Sequence, residues 1–346
     1  MSAVKSAAEP APVRRIAVLR PNRRIGNTLM LTPLLQELEM RFPDAQIELV
    51  TTCGAATTLL QRYPQVTAVH TILMERPLSA LRALLALRRR SYDLAIDPVR
   101  RSRTGRGLLA WLRARDRVGF RWGVALRDRT LTHAADPRQA PLHLSQLPLF
   151  LLRSAYYPRP SVQVQVQVQV QAGDANPPLE LRLTDAERRD GERRLSGTFA
   201  ADGHGAARVA IYAHATGVKS YPVEWWRQMV ECLRRESPTL QLLEIVPADR
   251  RSRLDGLIPG LYTPDLRLLG ATLAATSLVV IPDGGVMHLA EAAGARVLAL
   301  FRTTEPAYYG PCRPDSEVLW AHDPSPESVV ARIRGLLQPA AGAAAG

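Results

Sequence analysis

Acids and aromatics are the two residue classes this 346-residue chain holds in short supply: 32 Asp and Glu stand against 45 Lys and Arg, and Phe, Trp and Tyr together make up 5%. The net charge of +13 is mostly arginine and points to an anionic partner. Scarce aromatics weaken a nucleic-acid reading, because unpaired bases bind by stacking on rings. The three cysteines, Cys53, Cys232 and Cys312, are far apart and form no C-x-x-C pair. They suggest neither a zinc site nor a disulfide framework, and they fit a reducing cytoplasm. No Asp-x-Asp pair occurs, so no carboxylate pair is indicated that would chelate a divalent ion on a diphosphate. The start, MSAVKSAAEPAPVRR, lacks the apolar core of a signal peptide, and no stretch approaches the ~18 apolar residues of a membrane span. A membrane would be met from the side.

What is present is an alternation. With 46% apolar and 22% charged residues the composition is globular, and the length suits two domains. Strand-like runs at 15–20, 46–52, 66–72 and 92–96 are spaced by helical segments near 27–41, 54–62 and 77–90. This is the rhythm of β-α-β units on a parallel sheet. It restarts at 208–212, with strands at 240–246, 278–281 and 297–301 and helices at 222–236, 264–275 and 286–293, the 264–275 helix capped by Thr263 with Pro264 in its first turn. The expectation is α/β with two Rossmann-like, doubly wound domains, 1–172 and 173–338, and a disordered tail at 339–346. VQVQVQVQVQ, residues 162–171, reads as an edge strand or an expanded linker, and the charged helix 185–195 marks the junction.

Two segments carry anion-binding chemistry. In SLVVIPDGGVMHLAEAAG, 277–294, a strand runs into the tight turn Pro282-Asp283-Gly284-Gly285 and a helix starts at once, so backbone N–H groups at Gly284, Gly285 and Val286 and the positive helix end face a ligand. In IYAHATGVKSYPVEWW, 211–226, Thr216 and Lys219 stand on another strand-to-helix loop. It is not a P-loop, since Val218 separates Gly217 from Lys219. A third feature is basic: ten arginines lie between Arg100 and Arg129 against only Asp116 and Asp128, a run that suits a polyanion. His143, opening HLSQLPLFLL, reads as structural, and His288 as either a buried helix residue or a donor contact.

Four regions together resemble glycosyltransferase family 9, the heptosyltransferases of the lipopolysaccharide core: IGNTLMLTPLLQEL, DLAIDPVRRSRTGRGLLAWL, HATGVKSYPVEWW and PDGGVMHLAEAAGARVLALFRTTEPAYYGP. The resemblance covers roughly 14–337 and implies the GT-B architecture, two Rossmann-like domains facing a cleft. It also implies a metal-independent, inverting transfer of a heptose from ADP-heptose or a similar sugar nucleotide to an acidic glycolipid or glycan, at the cytoplasmic face of the inner membrane, with no cofactor and no nucleic acid. Lys219 and the backbone of 284–286 would stabilise the leaving diphosphate, with Thr216, Asp283 and His288 beside it, and Arg23, Arg24, Arg100, Arg101 and Arg103 would hold the acceptor.

The family places a catalytic aspartate after the glycine of its first loop, where this chain has Asn27. An amide orients a hydroxyl and does not take its proton. Asp97, His214 or Asp283 would then serve as base, the acceptor would need less activation, or the chain would be a binding or scaffold relative that has lost transfer. Two further departures are Pro282-Asp283-Gly284-Gly285 for Asn-Asp-Thr-Gly, which removes a hydroxyl, and Arg302 at a usual glycine.

Overall fold

The computed structural model describes residues 12–72, 75, 77–156, 176–199 and 205–338; the Val-Gln run, the 172/173 boundary and the 339–346 tail lie outside the described residues. Two six-stranded sheets are present. The first holds β1 (Arg15–Arg20), β2 (Gln46–Thr51), β3 (Val66–Thr71), β4 (Ser91–Asp97), β5 (Arg113–Phe120) and β6 (His133–Ala135), ordered β3-β2-β1-β4-β5-β6. The second holds β7 (Arg208–Ile211), β8 (Gln241–Ile245), β9 (Gly260–Leu261), β10 (Leu278–Pro282), β11 (Val297–Phe301) and β12 (Glu317–Trp320), ordered β12-β11-β10-β7-β8-β9. All pairings are parallel. Each half therefore runs 3-2-1-4-5-6 in its own count, and its winding reverses between its first and fourth strands. In doubly wound sheets the crevice above such a reversal, at the carboxyl ends of the strands, is where ligands bind.

The helices are α1 (Ile25–Leu29), α2 (Thr32–Arg41), α3 (Ala56–Leu60), α4 (Pro77–Arg89), α5 (Arg103–Trp111), α6 (Ala125–Asp128), α7 (Gln146–Tyr156), α8 (Asp185–Ser196), α9 (Val223–Glu236), α10 (Leu266–Ala274), α11 (Gly285–Ala293), α12 (Pro306–Tyr309) and α13 (Pro326–Leu337). Three differ from the sequence expectation. The single helix of 27–41 is two, because Pro33, in the first turn of α2, has no N–H to bond back across Met30 and Leu31 and continue α1. The cap near 264 is Asp265 rather than Thr263: its carboxylate accepts from the amides of Arg267 (2.8 Å) and Leu268 (3.2 Å), leaving Pro264 outside. The helix after His143 begins only at Gln146.

The central strands are buried along their length, Ile16 to Leu19 in β1 and Leu278 to Pro282 in β10. Continuous apolar runs are what a parallel sheet covered on both faces requires. Each such leucine or isoleucine contributes about 1.5–3 kcal/mol by leaving water. One core cluster joins the halves, with Leu29, Leu31 and Leu35 of the first and Met287 and Leu289 of the second. The segment 176–183 stitches across: the Glu180 amide donates to Thr32 Oγ1 (3.1 Å), Tyr63 donates to Glu180 O (2.8 Å), and the Leu181 amide donates to Ala292 O (2.7 Å). Among the described residues no helix is long and apolar enough to cross a membrane.

Candidate active site

The carboxyl ends of β7 and β10 bring Lys219 and Asp283 together. Gly217 adopts φ +60°, a backbone state that favours glycine, and this closes the short 3-10 turn Gly217–Lys219 that presents the lysine. Lys219 Nζ pairs with Asp283 Oδ2, and Thr304 Oγ1 donates to the same oxygen at 2.6 Å. The Tyr309 ring lies 5.7 Å from the ammonium. Asp283 is nearly buried, so an unpaired carboxylate there would be costly and the lysine is held in place by it. Arg302, unexpected from the family pattern, has a structural role: it donates to Ser220 O (2.8 Å), to His322 O (2.9 Å) and to Asp323 (2.7 Å), bracing the turn that carries Lys219. Thr216 is exposed at the start of that turn.

Immediately after Asp283, Gly284 caps α11 in an extended conformation. The opening N–H groups of α11 have no acceptor inside the helix, and helix ends of this kind attract anions; this end follows directly on Asp283, the partner of Lys219. The first half meets this point directly. A Cβ on Gly26 would stand 2.7 Å from His288 Cδ2 and 3.3 Å from Gly285 Cα, so α1 and α11 begin against each other. His288 is thereby accounted for as a packing residue of this contact, its Nδ1 3.7 Å from Glu291. His143 is likewise structural: its Nε2 donates to Gly310 O and its Nδ1 meets Ser145 Oγ, both at 2.8 Å, and burial lowers its pKa.

Asn27, half-buried, lines a cavity of about 100 Å³ with Arg20, Val99, Arg100, Leu144 and Leu147. Asp97, the strongest carboxylate candidate for a base, is fully buried. It packs against Gly105, where a Cβ would come within 2.6 Å of its Oδ1, and accepts from the Val99 amide at 3.3 Å. Desolvation raises its pKa to about 7, against the Val99 amide and the charges of Arg106 and Arg20. Its Oδ2 has no hydrogen-bond partner, and the side chain is closed off from solvent in this structure. Of the other candidates, Asp283 is paired with Lys219, and His214 stands 3.9 Å from Glu244 with its Nε2 without a hydrogen-bond partner and its pKa lowered by burial and by Arg253.

The expected acceptor arginines divide. Arg24, Arg101 and Arg103 are exposed on the rim. Arg23 pairs with Glu75, and Arg100 donates to Pro141 O at 2.8 Å. Arg106 of the same run is structural, buried with bonds to Phe120 O (2.6 Å) and Arg127 O (3.0 Å) and its guanidinium over Trp122. Sequence reasoning missed Arg20, Thr304 and Tyr309. Arg20 ends β1 under Asn27, with Nε unpartnered and its pKa lowered to about 10 by burial. Its position at a strand's carboxyl end is the signal that would have found it. Among the described residues no group of three His, Cys, Asp or Glu is placed to hold a metal ion.

The family model described as glycosyltransferase family 9 (heptosyltransferase) matches residues 81–334. A sequence search of curated proteins found no match. Among solved structures, the family 9 glycosyl transferase of Veillonella parvula DSM 2008 superposes with a TM-score of 0.74 at 15% identity, covering 94% of this chain and 97% of that one. The E. coli heptosyltransferase WaaC with ADP gives 0.68 at 17% identity, covering 93% and 99%. The E. coli ADP-heptose lipopolysaccharide heptosyltransferase II gives 0.66 at 17% identity, covering 93% and 98%. At these identities the superpositions speak for the fold, two parallel sheets in the GT-B arrangement.

Proposed function

The chain belongs to glycosyltransferase family 9, and from that premise we propose that it moves a heptose or similar sugar from an ADP-sugar to a hydroxyl of an acidic glycolipid or glycan, with inversion. The observation that carries this reading is the convergence of Lys219 and the α11 N-terminus above the winding reversal of the second sheet, facing the helix that bears Asn27. That E. coli WaaC has been solved with ADP and with ADP-2-deoxy-2-fluoro heptose supports a sugar nucleotide as the ligand. The acceptor oxygen forms a bond to the anomeric carbon while the bond from that carbon to the diphosphate oxygen breaks. The electron pair leaves with the diphosphate, and Lys219 and the amides of 284–286 meet the charge as it grows. The acceptor proton passes to solvent or to an acceptor group, with Asn27 orienting the hydroxyl. Arg24, Arg101 and Arg103 hold the acceptor's acidic groups, at the cytoplasmic face of the membrane in which such a glycolipid sits.

A second reading, binding without transfer, is favoured by Asn27 standing where the family pattern has an aspartate, with Asp97 fully buried. Calorimetry with ADP and ADP-heptose, followed by a transfer assay, separates the two. Binding with product supports transfer, binding without product supports the scaffold, and no binding, or Lys219→Ala leaving affinity unchanged, rejects both.

A further inference from the structure

Helix α4 is apolar on two opposite faces. Ala80, Leu84 and Leu87 turn inward to the first sheet's core. On the far side Leu78, Leu81 and Leu85 are 73%, 52% and 42% exposed. Their spacing of three and four residues puts them on one stripe. Single exposed leucines are ordinary, but a stripe of three is a surface. Every charged residue of α4 is an arginine: Arg82, Arg88 and Arg89, with no acid from Pro77 to Tyr92.

A tryptophan extends the stripe. Trp111, at the end of α5, is 40% exposed and fixed against α4: its Nε1 donates to Leu84 O at 3.1 Å, and the Arg88 guanidinium lies 4.6 Å from its ring centroid while donating to Trp111 O. Next to it, at the amino ends of β4 and β5, a groove of about 600 Å³ is lined by Arg88, Arg113, Arg115 and Arg117 together with Asp93. We propose that α4, Trp111 and this arginine groove form a docking surface for an anionic lipid bilayer. The leucines and the indole enter the interfacial zone, where Leu and Trp are favoured, and the arginines extend to headgroup phosphates. The complementarity selects lipid: arginines outnumber acids on this surface, Asp93 in the groove pairing with Arg115, and they are interleaved with aliphatic side chains that gain from leaving water. A nucleic acid would leave the leucines exposed, and a protein partner would have to supply acids and an apolar groove together. The stripe starts beside the first loop of the cleft, since Glu75, two residues before α4, pairs with Arg23.

The surface rests on exposed side chains and is independent of the transfer reading. The test is sedimentation of the full chain with vesicles of phosphatidylcholine alone or containing about one-third phosphatidylglycerol, with ADP calorimetry on the same samples. The expected result is binding to the anionic vesicles, weakened by salt, and a drop on the order of tenfold for the double variant Leu81→Asp, Leu85→Asp, with ADP affinity and circular dichroism unchanged. Trp111→Ala should lower binding several-fold. Equal binding to both vesicle types, binding to neither, or a double variant that sediments like the parent overturns the proposal. So does a lipid-free dimer that the double variant converts to monomer, which would make a second copy the occupant. Loss of ADP binding in the parent would count against the transfer reading and leave the lipid result standing.

Discussion

Gly26 and Gly285 touch where α1 and α11 begin, and neither has room for a side chain: a Cβ on Gly285 would stand 2.7 Å from Ile25 Cγ1, and one on Gly26 would stand 2.7 Å from the His288 ring. Both neighbours sit on packed elements that cannot swing away. Gly26→Ala therefore has to push the two halves apart at the point where donor and acceptor loops meet. The expected cost is about 1–3 kcal/mol in thermal unfolding, with ADP affinity weakened less than transfer, because the donor groups lie mainly on one side. A differential scan and a kcat against KM comparison check it.

Arg302→Gly restores the residue usual in the family and should nonetheless destabilise this chain. Arg302 makes three hydrogen bonds, one to Ser220 O beside Lys219 and two to His322 and Asp323, and so ties the turn carrying Lys219 to the 322–323 loop. Their loss should cost about 1–3 kcal/mol and loosen the lysine, raising the Kd for ADP several-fold in calorimetry. Unchanged affinity would show that Asp283 and Thr304 alone hold Lys219.

How much of this was legible beforehand depended on side-chain pattern. The strands β1 and β10 read out as apolar runs because helices cover both faces, and the turn at 282–285 read out because glycine follows a strand. Strand β5 did not: RARDRVGF carries four charges, three in its first half exposed or half-exposed near the sheet edge, so its pattern is not apolar. The two-residue β9 is too short to have a period. The arginine run from 100 to 129 looked like one polyanion site, yet the structure assigns Arg106 to a buried brace and Arg115 to Asp93 and Asp116. Asn27 as the unusual residue was visible at once. That Asp97 is sealed under Gly105 was not, since side-chain direction depends on which helix packs over the strand.

Glu48 predicts a pH dependence away from the site. It is buried in β2 and accepts from His70 (2.9 Å), Tyr92 (2.8 Å) and Arg90 (2.5 Å). Desolvation pushes its pKa up, but these bonds outweigh it and bring the value down to about 2. A depressed carboxylate stabilises the fold above its ordinary pKa and loses that contribution as pH falls through the folded value. Glu48→Gln should cost about 3 kcal/mol at neutral pH in urea unfolding. The gap to the parent should narrow steadily as pH falls from about 5 toward 3. A gap independent of pH would mean that packing, not charge, sets the cost.

Asn27→Asp is the sharpest test of the chemistry. The side chain shares a cavity with Arg20 and Arg100, so a carboxylate placed there has cations close by to keep it ionised at neutral pH. If residue 27 faces the attacking hydroxyl, the substitution supplies the missing base, and general-base assistance is worth ~10²–10⁴-fold. The rise should fall on kcat with KM little changed, because the group acts in the transition state more than in binding. It should also add a limb to the pH profile, with the rate climbing as the new carboxylate loses its proton. A variant that binds ADP-sugar as the parent does and transfers no faster would place the attacking hydroxyl elsewhere and return the weight to the scaffold reading.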